Sequence, residues 1–240
     1  MLGYKSLRSL LMATVVMVAI PSAANAQAYS SRLWSFDFYG GVAIPTSDLS
    51  DISSTGASFG VGADYYVSNR VGLRIEGNLD LLGGNDDGLV VPTPLINGDS
   101  GAPNIRLYHL NGGLEFDIVD RTDKKVNFTI FVLGGVVFVN SDKFSVPAGQ
   151  SSTFPNGLVL GDWQDAYPEV RAGFRLGFQL GDCTPGRARV CADLFINGGG
   201  NLMFGNEEDT EPITALYPGV DSFSSFYSFP IQIGFRINVL

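Results

Sequence analysis

One histidine, two cysteines and, after Ile20, no apolar run of helical membrane-spanning length: these scarcities frame the 240-residue chain. A spanning helix needs about 20 apolar residues, so the chain beyond Ile20 is expected to contain none. His109 alone, with only Cys183 and Cys191 beside it in the inventory, is too small a ligand set for a zinc-type centre. Positive charge is scarce as well, at 15 Lys+Arg against 24 Asp+Glu. That balance argues against a nucleic-acid partner, which calls for a basic surface. The glycine runs are not followed by helical patterns, as a phosphate loop would require, and no cofactor is expected. The length admits one large domain or two small ones.

What the chain does contain is glycine, 30 residues, and Phe plus Tyr, 26 residues. Little charge with many aromatics and glycines fits a β protein. Residues 1–26 read as a signal peptide. Lys5 and Arg8 form its positive start, Leu10 to Ile20 its apolar stretch, and Ala24-Asn25-Ala26 its cleavage site. The apolar stretch is too short to serve as a membrane anchor. Cleavage leaves Gln27 first, so no lipid-bearing cysteine is expected, and losing Lys5 and Arg8 moves the net charge from -9 to -11. The remaining segment, 27–240, shows no domain boundary.

Eight segments alternate apolar and polar residues with period two. They lie at about Leu33–Ile44, Ser58–Val67, Val71–Leu81, Ile105–Ile118, Val126–Val139, Pro168–Leu180, Val190–Phe204 and Ser228–Leu240. The third sets Val71, Leu73, Ile75, Leu79 and Leu81 against Arg74, Glu76, Asn78 and Asp80. The fifth is apolar on both faces, and its phase is open. The connections alternate long and short, beginning with about a dozen residues between the first two segments. An antiparallel meander would place all long loops at one end and both termini at the other.

A soluble eight-stranded barrel would show the same period with its apolar face inside. Three features favour the inverse. The eight segments contain no lysine; their polar faces carry Gly, Ser, Asn, Asp and Arg, which suits a crowded lumen rather than a solvated surface. The loops alternate in length, as in membrane barrels. The long loops hold 13 acidic residues and one base, Lys143, whereas the short turns hold Arg70, Arg121, Lys124, Lys125, Arg187 and Arg189. Trp34, Tyr65, Tyr108, Tyr227 and Phe229 lie near segment ends on the apolar face, where an aromatic girdle belongs. The expected fold is all-β: an eight-stranded antiparallel up-and-down transmembrane β-barrel.

The chain from Gln27 to Leu240 resembles the small eight-stranded outer-membrane barrels of the OmpA, OmpX and porin-like families. The resemblance rests on architecture and on the closing strand. There Gln232, Gly234, Ile237 and Val239 resemble the signal read by the barrel-assembly machinery, with Val239 where an aromatic is usual and Leu240 one residue beyond. The resemblance implies an outer-membrane location and contact with lipid and lipopolysaccharide. It also implies adhesion, envelope integrity or limited diffusion as the role, with an extracellular ligand possible at the loops.

The inward face is expected to gather Asp37, Asp64, Glu76, Asp80, Glu115, Asp117, Glu169 and Asp193 with Arg74, Arg171, Arg175, Arg236 and His109. Buried charges must be paired, so the plain reading is a structural plug. An excess of carboxylates also fits a narrow cation-preferring pathway. A lipid-modifying hydrolase using His109 is disfavoured, because no serine neighbours it on its face. Cys183 and Cys191 flank a short turn, and an exported chain favours their disulfide. "GNDDG" at Gly84–Gly88 and "NEED" at Asn206–Asp209 lack calcium-loop spacing and read as solvated acidic loops.

Overall fold

A computed structural model describes residues 34–68, 70–85, 104–119, 125–142, 144–146, 156, 158–160, 163–181, 190–205 and 225–239. The described elements are β1 (Trp34–Thr46), α1 (Asp48–Ile52), β2 (Ser53–Tyr66), β3 (Val71–Gly84), β4 (Ile105–Asp117), β5 (Val126–Ser141), β6 (Phe144–Val146), β7 (Leu158–Leu160), β8 (Gln164–Leu180), β9 (Val190–Met203) and β10 (Phe226–Val239).

Eight of the strands close into one barrel in the order β1-β10-β9-β8-β5-β4-β3-β2, and every neighbouring pair is antiparallel. The expected all-β, eight-stranded up-and-down barrel is therefore the observed fold. Closure falls between first and last strands: Trp34 pairs with Val239 and Thr46 with Tyr227, with no register break between. Each strand thereby has two partners, which leaves the wall without an edge.

Exposure settles which face is inside. Phe36, Ile75, Leu110, Ile233 and Phe235 are exposed, while the largest fully buried side chains include Arg74, Arg171, Arg175 and Arg236. The wall is thus inverted relative to a soluble protein, with charge inside and hydrocarbon outside. The strands run 13 to 17 residues in the barrel, beyond the roughly 9–11 tilted residues that cross a bilayer.

Three local expectations change. The first connection is six residues, 47–52, rather than about a dozen, because β1 and β2 extend further and α1 fills the remainder. The β2 ladder takes a bulge between Ser54 and Ala57, where an ideal Cβ on Gly56 would lie 1.8 Å from the Leu81 carbonyl oxygen. Only glycine fits that approach. The long connection after β5 holds a further two-stranded sheet, β6–β7, and β8 begins at Gln164 instead of Pro168.

The open phase of the fifth segment also resolves. In β5, Phe131, Leu133, Val137 and Val139 are buried inside, while Val132 and Phe138 are exposed outside. This strand is apolar on both faces because it contributes hydrocarbon to the lumen as well as to the outer wall.

Candidate functional site

The lumen has two storeys. In the lower one, nearer the short turns, the inward side chains are charged. All thirteen residues assigned to the inward face are buried: Asp37, Asp64, Arg74, Glu76, Asp80, His109, Glu115, Asp117, Glu169, Arg171, Arg175, Asp193 and Arg236. Their alternation with outward apolar residues puts them there, and wall closure removes them from water.

Four guanidinium groups meet four carboxylates. Asp37 lies 2.7 Å from Arg74, 2.9 Å from Arg175 and 2.7 Å from Arg236. Asp64 is 3.1 Å from Arg74 and also pairs with Arg236. Glu76 sits 2.8 Å from Arg74 and 3.0 Å from Arg171. Glu115 takes Arg175 at 3.2 Å and accepts a hydrogen bond from the Tyr66 hydroxyl. That hydroxyl in turn accepts from Arg236 Nη1 at 2.7 Å. Such charges persist in a low-dielectric interior only when paired and hydrogen-bonded.

The remaining acids find other partners. His109 stands between Glu169, at 2.7 Å from Nδ1, and Asp80, at 3.3 Å from Nε2. Asn111 Nδ2 donates to Glu169 Oε1 at 2.7 Å, and Ser58 Oγ donates to Asp80 at 2.5 Å. Thr129 donates to Asp117 at 2.6 Å, and Asn238 to Asp193 at 3.1 Å. Gln232 ties the middle of the network together: Nε2 donates to Ser58 Oγ at 2.8 Å, and Oε1 accepts from Arg171 at 3.0 Å and Asn197 at 3.1 Å.

Sequence reading missed the aromatic members. Tyr39, Tyr66, Phe131 and Phe195 are buried inside. Arg175 lies 4.8 Å above the Phe195 ring, and Arg74 and Arg171 lie 5.6 and 5.7 Å from the Phe131 ring. Cation–π contacts of this kind help hold a desolvated guanidinium. A signal for them existed in facing glycines. An ideal Cβ on Gly60 would lie 2.2 Å from the Tyr39 ring, and one on Gly173 would lie 2.6 Å from Phe131. The glycines of the polar face make room for rings.

The upper storey reverses the polarity. Leu82, Ile105, Leu107, Val137, Val139 and Met203 are buried inside. Phe226 packs edge-on against Tyr167 at 5.5 Å and against Trp163 at 6.2 Å. Leu49 and Ile52 of α1 close the top, both buried. At this level polar residues join the outer wall, with Ser54, Thr55 and Gln164 exposed and Arg106 paired at 2.7 Å with Asp142, beside exposed Leu81, Phe138 and Phe204. Its filling is that of a soluble β protein.

Trp34, Tyr65, Tyr108, Tyr227 and Phe229 are all exposed on the outer wall, and the Trp34 and Tyr65 rings lie 4.9 Å apart. In the closing strand Gln232 is buried inside, while Ile237 and Val239 are exposed outside. Cys191 is buried and is not a free thiol; Cys183 lies outside the described residues, as do residues 1–33, Asp86 to Gly88 and Asn206–Asp209. Among the described residues no cluster of His, Cys, Asp and Glu could hold a metal ion.

No protein-family model matches the chain, and no curated protein matches it. Several solved structures are similar in backbone. Ail, the attachment invasion locus protein of Yersinia pestis, in complex with the heparin analogue sucrose octasulfate, shares 13% identity at a TM-score of 0.46, covering 85% of this chain and 99% of its own. Neisserial surface protein A shares 14% identity at a TM-score of 0.42, covering 87% and 97%. The N-terminal β-barrel domain of Pseudomonas aeruginosa OprF shares 11% identity at a TM-score of 0.38, covering 85% and 97%.

Proposed function

We propose that the chain is an integral outer-membrane barrel with a closed lumen, whose raised upper storey is a platform for acidic surface loops. The observation that carries this reading is the reversal of polarity along the wall. Below, hydrocarbon faces out and charge faces in, the arrangement a bilayer demands. Above, polar residues face out over an apolar filling, the arrangement water demands. The lower part sits in lipid, and the upper part stands clear of it.

Two plugs in series support a non-conducting role. The lower one is a set of paired ions with rings packed between them; the upper one is hydrocarbon. An eight-stranded barrel has an interior just wide enough for side chains to fill. His109 supports no hydrolase, since its neighbours are two carboxylates and it faces the lumen. The signal peptide, the Cys183–Cys191 disulfide and recognition of the last strand by the assembly machinery belong to the same reading.

Planar-bilayer recording of the refolded full chain tests it. The expected result is a quiet membrane at neutral pH, with no stepwise conductance. Reproducible steps that prefer cations, and that change in Glu169→Ala, would instead establish the narrow-channel alternative.

A further inference from the structure

A groove opens on the outer face of the lower wall, across β1, β2, β3 and β4. It holds about 310 Å³ and is lined by Phe36, Phe38, Val61, Ala63, Ile75, Gly77 and Leu110. Two successive outward-facing rungs of the ladder build it. Phe36, Ala63 and Ile75 share one rung, and Phe38, Val61, Gly77 and Leu110 share the next. In each rung a small residue stands among large ones. Ile75 and Leu110 are 65% and 60% exposed, more than any other large hydrophobic residue described, so they rise as ridges beside a floor of Ala63 and Gly77. An ideal Cβ on Gly77 would meet only the His109 carbonyl oxygen, at 3.9 Å, so the space above it is open. Asp37 and Glu76 border the groove, but their side chains are fully buried in the lumen. Every side chain that lines it from outside is therefore apolar.

Position and shape select the occupant. On the next outward-facing rung toward the termini, Trp34 pairs with Tyr65 and Tyr65 with Leu73. The Trp34 and Tyr65 rings lie 4.9 Å apart, and amphipathic rings of this kind sit at headgroup level. About 7 Å of strand separates Trp34 from Phe36, so the groove begins just inside the hydrocarbon, in the leaflet nearest the termini. A second barrel would offer a convex wall, which rests on the ridges of Ile75 and Leu110 without reaching Gly77. A single acyl chain is slender enough to reach the floor. Its gain is contact rather than the hydrophobic effect, since lipid tails are as apolar as the groove. Atoms lining an unfilled groove forgo their dispersion partners.

We propose that this groove is a binding site for one acyl chain of a glycerophospholipid from the leaflet nearest the termini. The acyl chain lies over Ala63 and Gly77, between Phe36, Phe38, Ile75 and Leu110, and its headgroup sits level with Trp34 and Tyr65. The inference rests on the membrane reading above and adds a site to it.

The probe is a phosphatidylcholine with a diazirine midway along one acyl chain, in liposomes that hold the full-length protein. Irradiation followed by peptide mass spectrometry reads where the acyl chain lies. Peptides containing Ala63 and Gly77 should be labelled about ten-fold more than those containing Leu194 and Ile196 on the far wall, the ratio expected of a modest site. Ala63→Leu with Gly77→Leu fills the groove and should lower the labelling to the far-wall level. Gly134→Leu, at an exposed glycine of the outer wall with room for a side chain, should leave it unchanged. Exchanging choline for glycerol in the headgroup should also change nothing, because no polar side chain lines the groove. Uniform labelling around the wall, or labelling that survives the filling, would overturn the proposal. A pattern that follows the headgroup would do the same. So would labelling that falls as the protein-to-lipid ratio rises, which would make a second copy the occupant. A failed membrane reading looks different, because the protein would not float with the liposomes at all.

Discussion

Asp37 touches three arginines at 2.7, 2.9 and 2.7 Å in a site closed to water, and its removal should be felt well beyond a single pair. Asp37→Ala leaves Arg74, Arg175 and Arg236 short of a counter-charge, and breaking a buried pair from one side costs about 3–5 kcal/mol. Arg106→Ala removes an equally short contact, but both partners are 40% exposed, and such pairs are worth at most about 1 kcal/mol. Urea unfolding of both variants in detergent micelles measures the difference. At this scale the charged lumen was legible in the sequence, because an Asp or Arg on the polar phase of an alternating strand has only one direction to point. The rings were not. Tyr39, Phe131 and Phe195 occupy the same phase as the charges, and period two does not reveal that glycines opposite them open the space they fill.

Among the elements, α1 was hidden in a stretch that reads as loop. Five residues give too short a window for helical periodicity, yet Leu49 and Ile52 are buried against the upper storey. The backbone of Asn85 donates to the Ile52 carbonyl at 3.1 Å, and its side chain donates to the Ser50 carbonyl at 2.8 Å, so α1 is fastened to the end of β3. Leu49→Ala should destabilise the barrel by about 2–5 kcal/mol, read by the same urea titration, despite lying in a nominal loop. β5 resisted reading for a different cause. A strand that lines lipid on one side and an apolar plug on the other loses its alternation, and the eye finds no phase. Strand boundaries shifted where the upper storey begins, since the exposed Gln164 and the buried Tyr167 there fall outside the pattern of charge within and hydrocarbon without.

For the molecule as a whole, the closing pair of strands is the decisive feature. "SFPIQIGFRINVL" alone is any half-buried strand; paired with both β1 and β9, it leaves the wall no edge and the lumen no side opening. The sequence held the ingredients of the barrel in its eight alternating segments and alternating loop lengths. It concealed the height at which polarity reverses, because that height depends on how neighbouring strands stagger, a relation between distant segments. The central claim is that a lipid-facing lower wall carries a water-facing, dry-cored upper storey. Spin labels placed one at a time in liposome-reconstituted protein test it most directly, through accessibility to oxygen and to a water-soluble nickel complex. The account predicts oxygen-rich labels at Ile75, Leu110 and Ile233, nickel-accessible labels at Thr55 and Gln164, and a label at Leu107 that neither reagent reaches readily. Nickel access at Leu107 or at Ile233 equal to that at Thr55 would contradict it.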